Sequence, residues 1–176
     1  MEFNRRQFLL SSVATLAAAS ISSPLMAADP IVIGVPTAKS GPVGVADQAD
    51  WLNGVTMAVE EINAAGGVNG RLLETRVVDI DLLTPEGTVA AFQSLVEGGV
   101  QALAHSFAII PQPAMDVAAS NGVPYLHGNT SQASLDLVKS DPKKYRNIFQ
   151  VDVAETYYGA GFVKFLSNQR AAGWTP

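Results

Sequence analysis

The sequence predicts an α/β fold built on a doubly wound parallel sheet. Short apolar runs typical of buried strands alternate with helical patterns between residues 31 and 126. The connections are short, and paired glycines or Asn-Gly close the helical patterns. Such alternation favours a parallel sheet with helices on both faces. Right-handed crossovers between consecutive strands leave few other arrangements.

The first strand and helix are predicted over residues 31–65. Residues 31–35, IVIGV, form the continuous apolar run of a strand buried on both faces. The helix that follows has apolar residues at three- and four-residue spacing, on one face: Leu52, Val55, Ala58, Val59, Ile62 and Ala65. Gly66 and Gly67 end this helix, because glycine readily takes the left-handed conformation found after a helix C-terminus.

Three more strands are predicted, over residues 72–80, 100–104 and 123–126. After the first of them, Thr84-Pro85-Glu86 begins a helix. It has a hydroxyl cap, a proline at the first helical position and an acid near the positive end of the dipole. Gly98-Gly99 ends that helix.

The remaining elements are a short helix over residues 113–120, closed by Asn121-Gly122, an extended crossover segment over residues 147–153, and a helix over residues 154–168. Apolar and aromatic residues recur along the last helix at near-helical spacing. Four loops leave the predicted strand C-termini, namely residues 39–50, 81–84, 105–112 and 127–134. We expect all four at one edge of the sheet, where open α/β sheets bind ligands.

The run SGPVG after the first strand, followed by AVEEINAAGGVNGR, resembles the periplasmic leucine/isoleucine/valine-binding proteins, the type I solute receptors of ABC importers. The resemblance covers the chain from Pro30 to its end. It implies a partial N-terminal ligand-binding lobe over residues 29–146, then the crossover and first helix of a second lobe over residues 147–176. Because members of that family are much longer, we expect this chain to be a fragment or a truncated gene product.

The same resemblance implies which residues hold the ligand. In that family, backbone and hydroxyl groups of the third and fourth loops hold the α-carboxylate and α-amino groups. Amides at a helix N-terminus stabilise such an anion without a formal cation. The matching anchors here are Ser106, Phe107, Ala108, Asn129, Thr130 and Ser131. Two aromatic residues are further candidates, Trp51 on the first helix and Tyr157 at the start of the second lobe.

Departures from the family pattern leave the ligand class open. Ala108-Ile109-Ile110 stands where the family usually has a run of serines, so a hydroxyl contact is expected to be missing. The first loop is one residue longer and lacks a tyrosine often found there. A branched-chain amino acid is therefore one candidate, beside aromatic acids, amides and other small carboxylates.

The N-terminus resembles a twin-arginine export signal. Arg5 and Arg6 precede an apolar stretch over residues 8–19 that is shorter than the ~20 residues needed to cross a bilayer. We expect residues 1–28 to be a cleaved signal peptide and the mature protein to be periplasmic, with cleavage after Ala27 or Ala28. An ordinary secretion signal with two arginines is the alternative, and it leads to the same compartment.

Composition narrows the functional classes. Without residues 1–28, which hold Arg5, Arg6 and Glu2, nine basic and fifteen acidic residues remain, a formal charge of −6. This acidic balance argues against nucleic-acid binding. The chain has no cysteine, which excludes disulfides, thiolate catalysis and cysteine metal sites.

No cofactor or catalytic site is expected. The motifs GxGxxG, GxSxG, HExxH and the P-loop are absent. His105 and His127 each end a predicted strand, which raises the possibility that they face each other across the cleft and bind a metal with Asp81. Cleft-lining or hydrogen-bonded histidines at the strand ends are the favoured interpretation.

The sequence therefore predicts an exported substrate-binding protein of an ABC importer. It would bind a small amino-acid-like or carboxylate solute between two lobes, without chemistry, and deliver it to the importer permease. An exported α/β enzyme and the ligand-sensing domain of a receptor with the same fold are the alternatives.

Overall fold

Five strands alternate with five helices along residues 29–174, the part of the chain that the computed structural model describes. In chain order the elements are β1 (Ile31–Thr37), α1 (Val45–Ala64), β2 (Leu73–Asp79), α2 (Pro85–Glu97), β3 (Ala102–His105), α3 (Pro111–Ser120), β4 (Tyr125–His127), α4 (Gln132–Ser140), β5 (Ile148–Gln150) and α5 (Thr156–Ala171). The signal peptide predicted for residues 1–28 lies outside this part. No helix among the described residues has both the length and the apolar character needed to span a membrane.

The strands form one parallel sheet in the order β2-β1-β3-β4-β5. From β1 the chain moves outward to β2 and then returns past β1 towards β5. With right-handed crossovers this reversal places α1 on one face and α2, α3 and α4 on the other. The predicted doubly wound parallel α/β fold is thereby confirmed.

The apolar core lies between the sheet and the α2–α4 layer. Phe92 and Leu95 of α2 and Met115 of α3 are fully buried against Leu103 of β3 and Tyr125 of β4. Edge-to-face contact between the Phe92 and Tyr125 rings, with centroids 5.1 Å apart, adds specific geometry to this core.

The opposite face is only partly covered, because α1 packs over β1 and β2. The only fully buried residue of α1 is Gln48, and Met57 and Ile62 of the same helix are exposed. Leu126 and Phe149 are paired in register on β4 and β5 and are 42% and 50% exposed. The side of the sheet beyond α1 therefore presents apolar surface to solvent.

Local chemistry accounts for the element ends as predicted. Thr84 caps α2 by accepting a hydrogen bond from Gly87 N at 3.1 Å. Gly66 and Gly67 follow α1 with φ values of 100° and 75°, the left-handed region that favours glycine. Asn69 and Gly70 also have positive φ and close a tight turn between Val68 and Arg71.

Two elements differ from the sequence prediction. Residues 147–153, predicted as a crossover, contain β5, so the sheet continues beyond residue 146, where the first lobe was expected to end. The Asn147 side chain fixes this segment by donating from Nδ2 to Ala118 O and Val123 O at 3.0 and 2.6 Å. Helix α4 begins at Gln132, inside the loop predicted over residues 127–134, because Ser131 caps its first turn.

Helix α5 leaves the sheet without packing into the core. It has no buried residue, and Tyr157, Phe162 and Phe165 are 61%, 60% and 54% exposed. The predicted helix over residues 154–168 therefore forms, with its aromatic residues facing solvent.

Candidate functional site

The loops that follow β3 and β4 meet at the carboxyl edge of the sheet. Asn129 donates from Nδ2 to Ala108 O at 3.0 Å, and Gly128 N donates to His105 O at 3.1 Å. These bonds join residues 106–108 and residues 128–131 into one surface, which we call the anchor shelf. It contains all six anchors predicted from the third and fourth loops.

The shelf is preformed rather than loose. Ser106, Ala108 and Asn129 are 9%, 3% and 8% exposed, and Thr130 and Ser131 are half-buried. The side-chain amide of Asn129 donates its hydrogen bond within the shelf, to Ala108 O. Within residues 29–174 the hydroxyls of Ser106 and Thr130 form no hydrogen bond with the protein, so these two side chains offer polar groups to a ligand.

Helix α4 begins at the end of the shelf and directs its amides towards it. Ser131 Oγ accepts from Ala133 N at 3.2 Å, and Gln132 N donates to Glu155 Oε2 at 2.8 Å. The positive end of the helix dipole therefore lies at the shelf. The first three amides of α4 are already used within the protein, because Gln132 N, Ala133 N and Ser134 N donate to Glu155 Oε2, Ser131 Oγ and Ser131 O. An anionic group of a ligand would therefore be stabilised by the dipole and by the shelf hydroxyls.

The two predicted aromatic residues have different surroundings. Trp51 is half-buried and packs against the shelf: a methyl group at Gly128 would lie 3.1 Å from Trp51 Cζ3. The indole Nε1 is buried and has no hydrogen-bond partner among residues 29–174. Tyr157 is exposed in the first turn of α5, two residues after Glu155.

His105 and His127 do not face each other across the cleft, as the metal-site alternative required, and His105 is hydrogen-bonded at the end of its strand, as the favoured interpretation allowed. They are paired in register on β3 and β4 and are 0% and 1% exposed, inside the protein beneath the shelf. The reason is strand alternation, which directs both side chains to the α2–α4 face together with Leu103 and Tyr125. Asp81, considered as a third metal donor, accepts bonds from Leu83 N and Thr84 Oγ1 at 2.9 and 2.8 Å.

Burial keeps both imidazoles neutral. Desolvation lowers the pKa of His105 to about 3, with repulsion from His127 as a second cause. Desolvation also lowers the pKa of His127 to about 4. The His105 ring bonds to Gln48 through Nε2, at 3.1 Å from Nε2 of that side chain, and its Nδ1 lies 3.3 Å from Tyr125 Oη. His127 Nδ1 has no hydrogen-bond partner among the described residues.

Gln48 is a structural contributor that the sequence analysis missed. Its side chain is 1% exposed, accepts from Ala38 N at 3.1 Å and donates to Phe107 O at 2.9 Å. It thereby ties the end of β1 to the shelf. Its position four residues before Leu52, on the same helix face, is a signal that would have indicated burial.

A separate pocket of about 400 Å³ lies at the ends of β1 and β2 and is lined by Ser40, Gly41, Pro42, Asp79, Ile80, Asp81 and Leu83. The hydrogen bond from Ser40 is the main cause that lowers the pKa of Asp79. This pocket is therefore acidic, which disfavours a carboxylate there. A larger groove of about 810 Å³ runs between α2 and α3 and is lined in part by Ile110.

Comparisons with known proteins identify relatives of the whole described region. A family model described as periplasmic binding protein matches residues 30–174. The leucine-, isoleucine-, valine-, threonine- and alanine-binding protein of Pseudomonas aeruginosa is 34% identical over 158 residues, which cover 89% of this chain and 40% of that protein. The leucine-specific-binding protein of Salmonella typhimurium is 33% identical over 116 residues, covering 63% of this chain and 30% of that protein.

Comparison with solved structures also finds proteins that are similar to this chain. A putative branched-chain amino acid ABC transporter from Silicibacter pomeroyi has a TM-score of 0.79 and 37% identity, over 84% of this chain and 38% of that one. The substrate-binding protein LivJ from Streptococcus pneumoniae, in complex with isoleucine, has a TM-score of 0.60 and 26% identity, over 71% of this chain and 34% of that one. The chain therefore spans 30–40% of the length of these four relatives.

Proposed function

Because this chain belongs to the periplasmic binding protein family, we propose that it supplies the first lobe of an ABC-importer substrate-binding protein. In this proposal, the sheet and its helices form the lobe and α5 begins the second one. Residues 1–28 direct export to the periplasm, where the mature protein binds its solute and presents it to a permease without changing it chemically.

The observation that carries the proposal is the junction of the anchor shelf with the amino end of α4. Among residues 29–174 the hydroxyls of Ser106 and Thr130 form no hydrogen bond with the protein, and the positive end of the α4 dipole lies beside them. A small ligand with a carboxylate fits that combination, since hydroxyls donate to an anion and the dipole stabilises negative charge near the helix N-terminus. The acidic pocket beside Asp79 leaves the shelf as the better place for this group.

The ligand class follows from the groups beside the shelf. Ile109 is 49% exposed where a serine run would have supplied hydroxyls, and Trp51 packs on the shelf. These side chains favour an apolar remainder on the solute. One relative is named for binding leucine, isoleucine, valine, threonine and alanine, and a second is named for binding leucine specifically. We therefore propose an amino acid with an apolar side chain.

In the proposed mechanism, the shelf holds the polar end of the solute and a second lobe closes over the rest by a hinge motion. The described part supplies one face, so we expect weak binding by this chain alone. Closure would bury the solute and create the shape that the permease recognises.

An amide-resolved NMR titration with leucine, isoleucine, valine, threonine, alanine, an aromatic acid and an amide tests the proposal. We expect an apolar amino acid to shift the amides of Ser106, Ala108, Thr130 and Ser131. Thr130→Val, which removes one hydroxyl, should weaken binding about three- to tenfold. Thr56→Val on the exposed side of α1 is the matched control. Shifts confined to the α2–α3 groove, or consumption of the compound, would contradict the proposal and favour an enzyme.

A further inference from the structure

Three polar side chains lie in register across the carboxyl ends of neighbouring strands. His105 of β3 pairs with His127 of β4, which in turn pairs with Gln150 of β5. Residues paired in register on parallel strands direct their side chains to the same face, so these three form one row on the α2–α4 side of the sheet. The preceding pair, Leu126 and Phe149, is exposed on the opposite face, as this alternation requires.

The two ends of this row differ in their hydrogen bonding. His105 uses both ring nitrogens in contacts with neighbouring side chains. In contrast, His127 Nδ1 and Gln150 Oε1 are buried atoms that form no hydrogen bond with residues 29–174. Gln150 donates from Nε2 to Asp152 O at 3.1 Å, which holds its side chain with Oε1 buried.

Helix α4 contributes a third buried polar atom of this kind. Ser134 is 1% exposed, and its Oγ also has no hydrogen-bond partner in the described part of the chain. Leu137 and Val138, three and four residues later, pack against the core, so Ser134 lies on the helix face turned towards the sheet. Because α4 begins at the carboxyl edge and contacts β5, Ser134 faces the strand ends that carry His127 and Gln150.

We propose that His127 Nδ1, Ser134 Oγ and Gln150 Oε1 bind one buried water molecule that joins β4, α4 and β5 beneath the anchor shelf. Buried polar atoms are nearly always hydrogen-bonded, either to protein or to ordered water, and an internal water typically makes about three such bonds. The donor and acceptor types match. The amide oxygen of Gln150 can only accept, and water can donate to it while bonding to the hydroxyl and to the imidazole.

The chemistry of this hydration site favours a neutral molecule over an ion. Its groups are an amide, a hydroxyl and an imidazole whose pKa is lowered by burial, so none carries a charge at neutral pH. Within residues 29–174 no three His, Cys, Asp or Glu side chains are grouped as a metal ion would need. An ion would therefore be buried without an opposite charge, which costs far more than burying a hydrogen-bonded water.

The hydration site supports the anchor shelf from below, whichever solute the shelf binds. His127 leads directly into Gly128 and Asn129, and His127 O accepts from Val151 N at 3.0 Å. The water adds a side-chain link at the same point, so the end of β4 is held by β5 through the backbone and by both β5 and α4 through the water.

A crystal structure of the chain that resolves ordered water is the direct test. We expect one peak of density within about 2.5–3.2 Å of all three atoms. Absence of that peak, or direct hydrogen bonds among the three side chains, would overturn the inference.

A double-mutant cycle tests the same water in solution. Ser134→Ala and Gln150→Met each remove one of its partners, and urea unfolding of the single and double variants measures how the two changes combine. We expect their effects on the unfolding equilibrium constant to depart from additivity by about three- to tenfold, because both act on one water. Ser140→Ala, at the exposed last residue of α4, is the matched control and should combine additively with Gln150→Met. Additive effects of Ser134→Ala and Gln150→Met would contradict a shared water.

Discussion

His105 and His127 lie side by side on β3 and β4, paired in register and sealed beneath the anchor shelf. Two imidazoles in this position make the folded state sensitive to acid, because each must stay neutral while buried. The unfolded chain has no such restriction, and its histidines bind protons near the ordinary value of about 6.5.

The first prediction concerns this pH dependence. The pKa values of His105 and His127 are lowered to about 3 and about 4 in the folded protein. The unfolded state therefore binds more protons below about pH 6.5, so the free energy of unfolding should fall as pH decreases from there towards 3. Urea unfolding at pH 7.5, 6, 5 and 4 measures the slope.

A variant separates this effect from the carboxylates that titrate in the same range. His127→Leu should reduce the pH dependence of the free energy of unfolding between pH 6.5 and 4. It should lower that free energy by less than about 1.5 kcal/mol at pH 7.5, because His127 Nδ1 has no hydrogen-bond partner among the described residues. His105→Leu should cost more, because Gln48 and Tyr125 lose a hydrogen-bond partner. An equal slope in wild type and His127→Leu would contradict the assigned burial.

The second prediction concerns Gln48. Replacing it by leucine leaves Ala38 N and Phe107 O without partners inside the protein. We expect Gln48→Leu to lower the free energy of unfolding by about 2–4 kcal/mol, since each orphaned buried group costs about 1–3 kcal/mol. Gln93→Leu on α2, where the side chain bonds only to Glu97 at the surface, should stay within about 0.5 kcal/mol. Similar losses in both variants would show that Gln48 does not join β1 to the shelf.

The third prediction concerns Asn129, which joins the two halves of the shelf. Asn129→Asp replaces the donor to Ala108 O by an ionised acceptor, so we expect a loss of about 1–3 kcal/mol in stability at pH 7. The loss should shrink in acid, because a protonated carboxyl can again donate. Asn53→Asp on the exposed side of α1 is the control. A loss of stability that does not change with pH would argue against the hydrogen bond from Asn129 to Ala108 O.

The fourth prediction compares two glycines. A methyl group at Gly128 would lie 3.1 Å from Trp51 Cζ3 and 3.2 Å from Ser106 O, whereas one at Gly54 in α1 meets nothing within 4 Å. Gly128→Ala should destabilise by about 1–3 kcal/mol and shift the Trp51 fluorescence. Gly54→Ala should stabilise by about 0.5–1 kcal/mol through its helix propensity. A Trp174→Phe background isolates the Trp51 signal, and an unshifted spectrum in Gly128→Ala would refute the packing.

Much of the fold could be predicted because its signals are local. The cap at Thr84, the glycines after α1 and the apolar run of β1 each act within a few residues. Strand β5 has only three residues, and its place depends on Asn147 contacting Ala118 and Val123, far away in the sequence. Such a strand has no periodicity of its own to detect.

The sequence predicted which loops meet at the site, but not the hydrogen bonds that shape it. Parallel strands bring their carboxyl ends to one edge, which was enough to place residues 106–108 beside residues 128–131. The bonds that shape the shelf join residues distant in sequence, such as Gln48 to Phe107 and Gln132 to Glu155. The side-chain direction of His105 follows the alternation of Leu103 and His105 along β3, which the sequence prediction did not use.

The central position of β1 influences the order in which the chain folds. Its neighbours β2 and β3 come from increasingly distant parts of the sequence, and Val32 bonds to Gln101 across 69 residues. Closing so long a loop carries an entropic cost that slows folding. β4 and β5 can only extend the sheet from β3 outward. During synthesis, the anchor shelf would thus be among the last parts to form, after the three-stranded centre has paired.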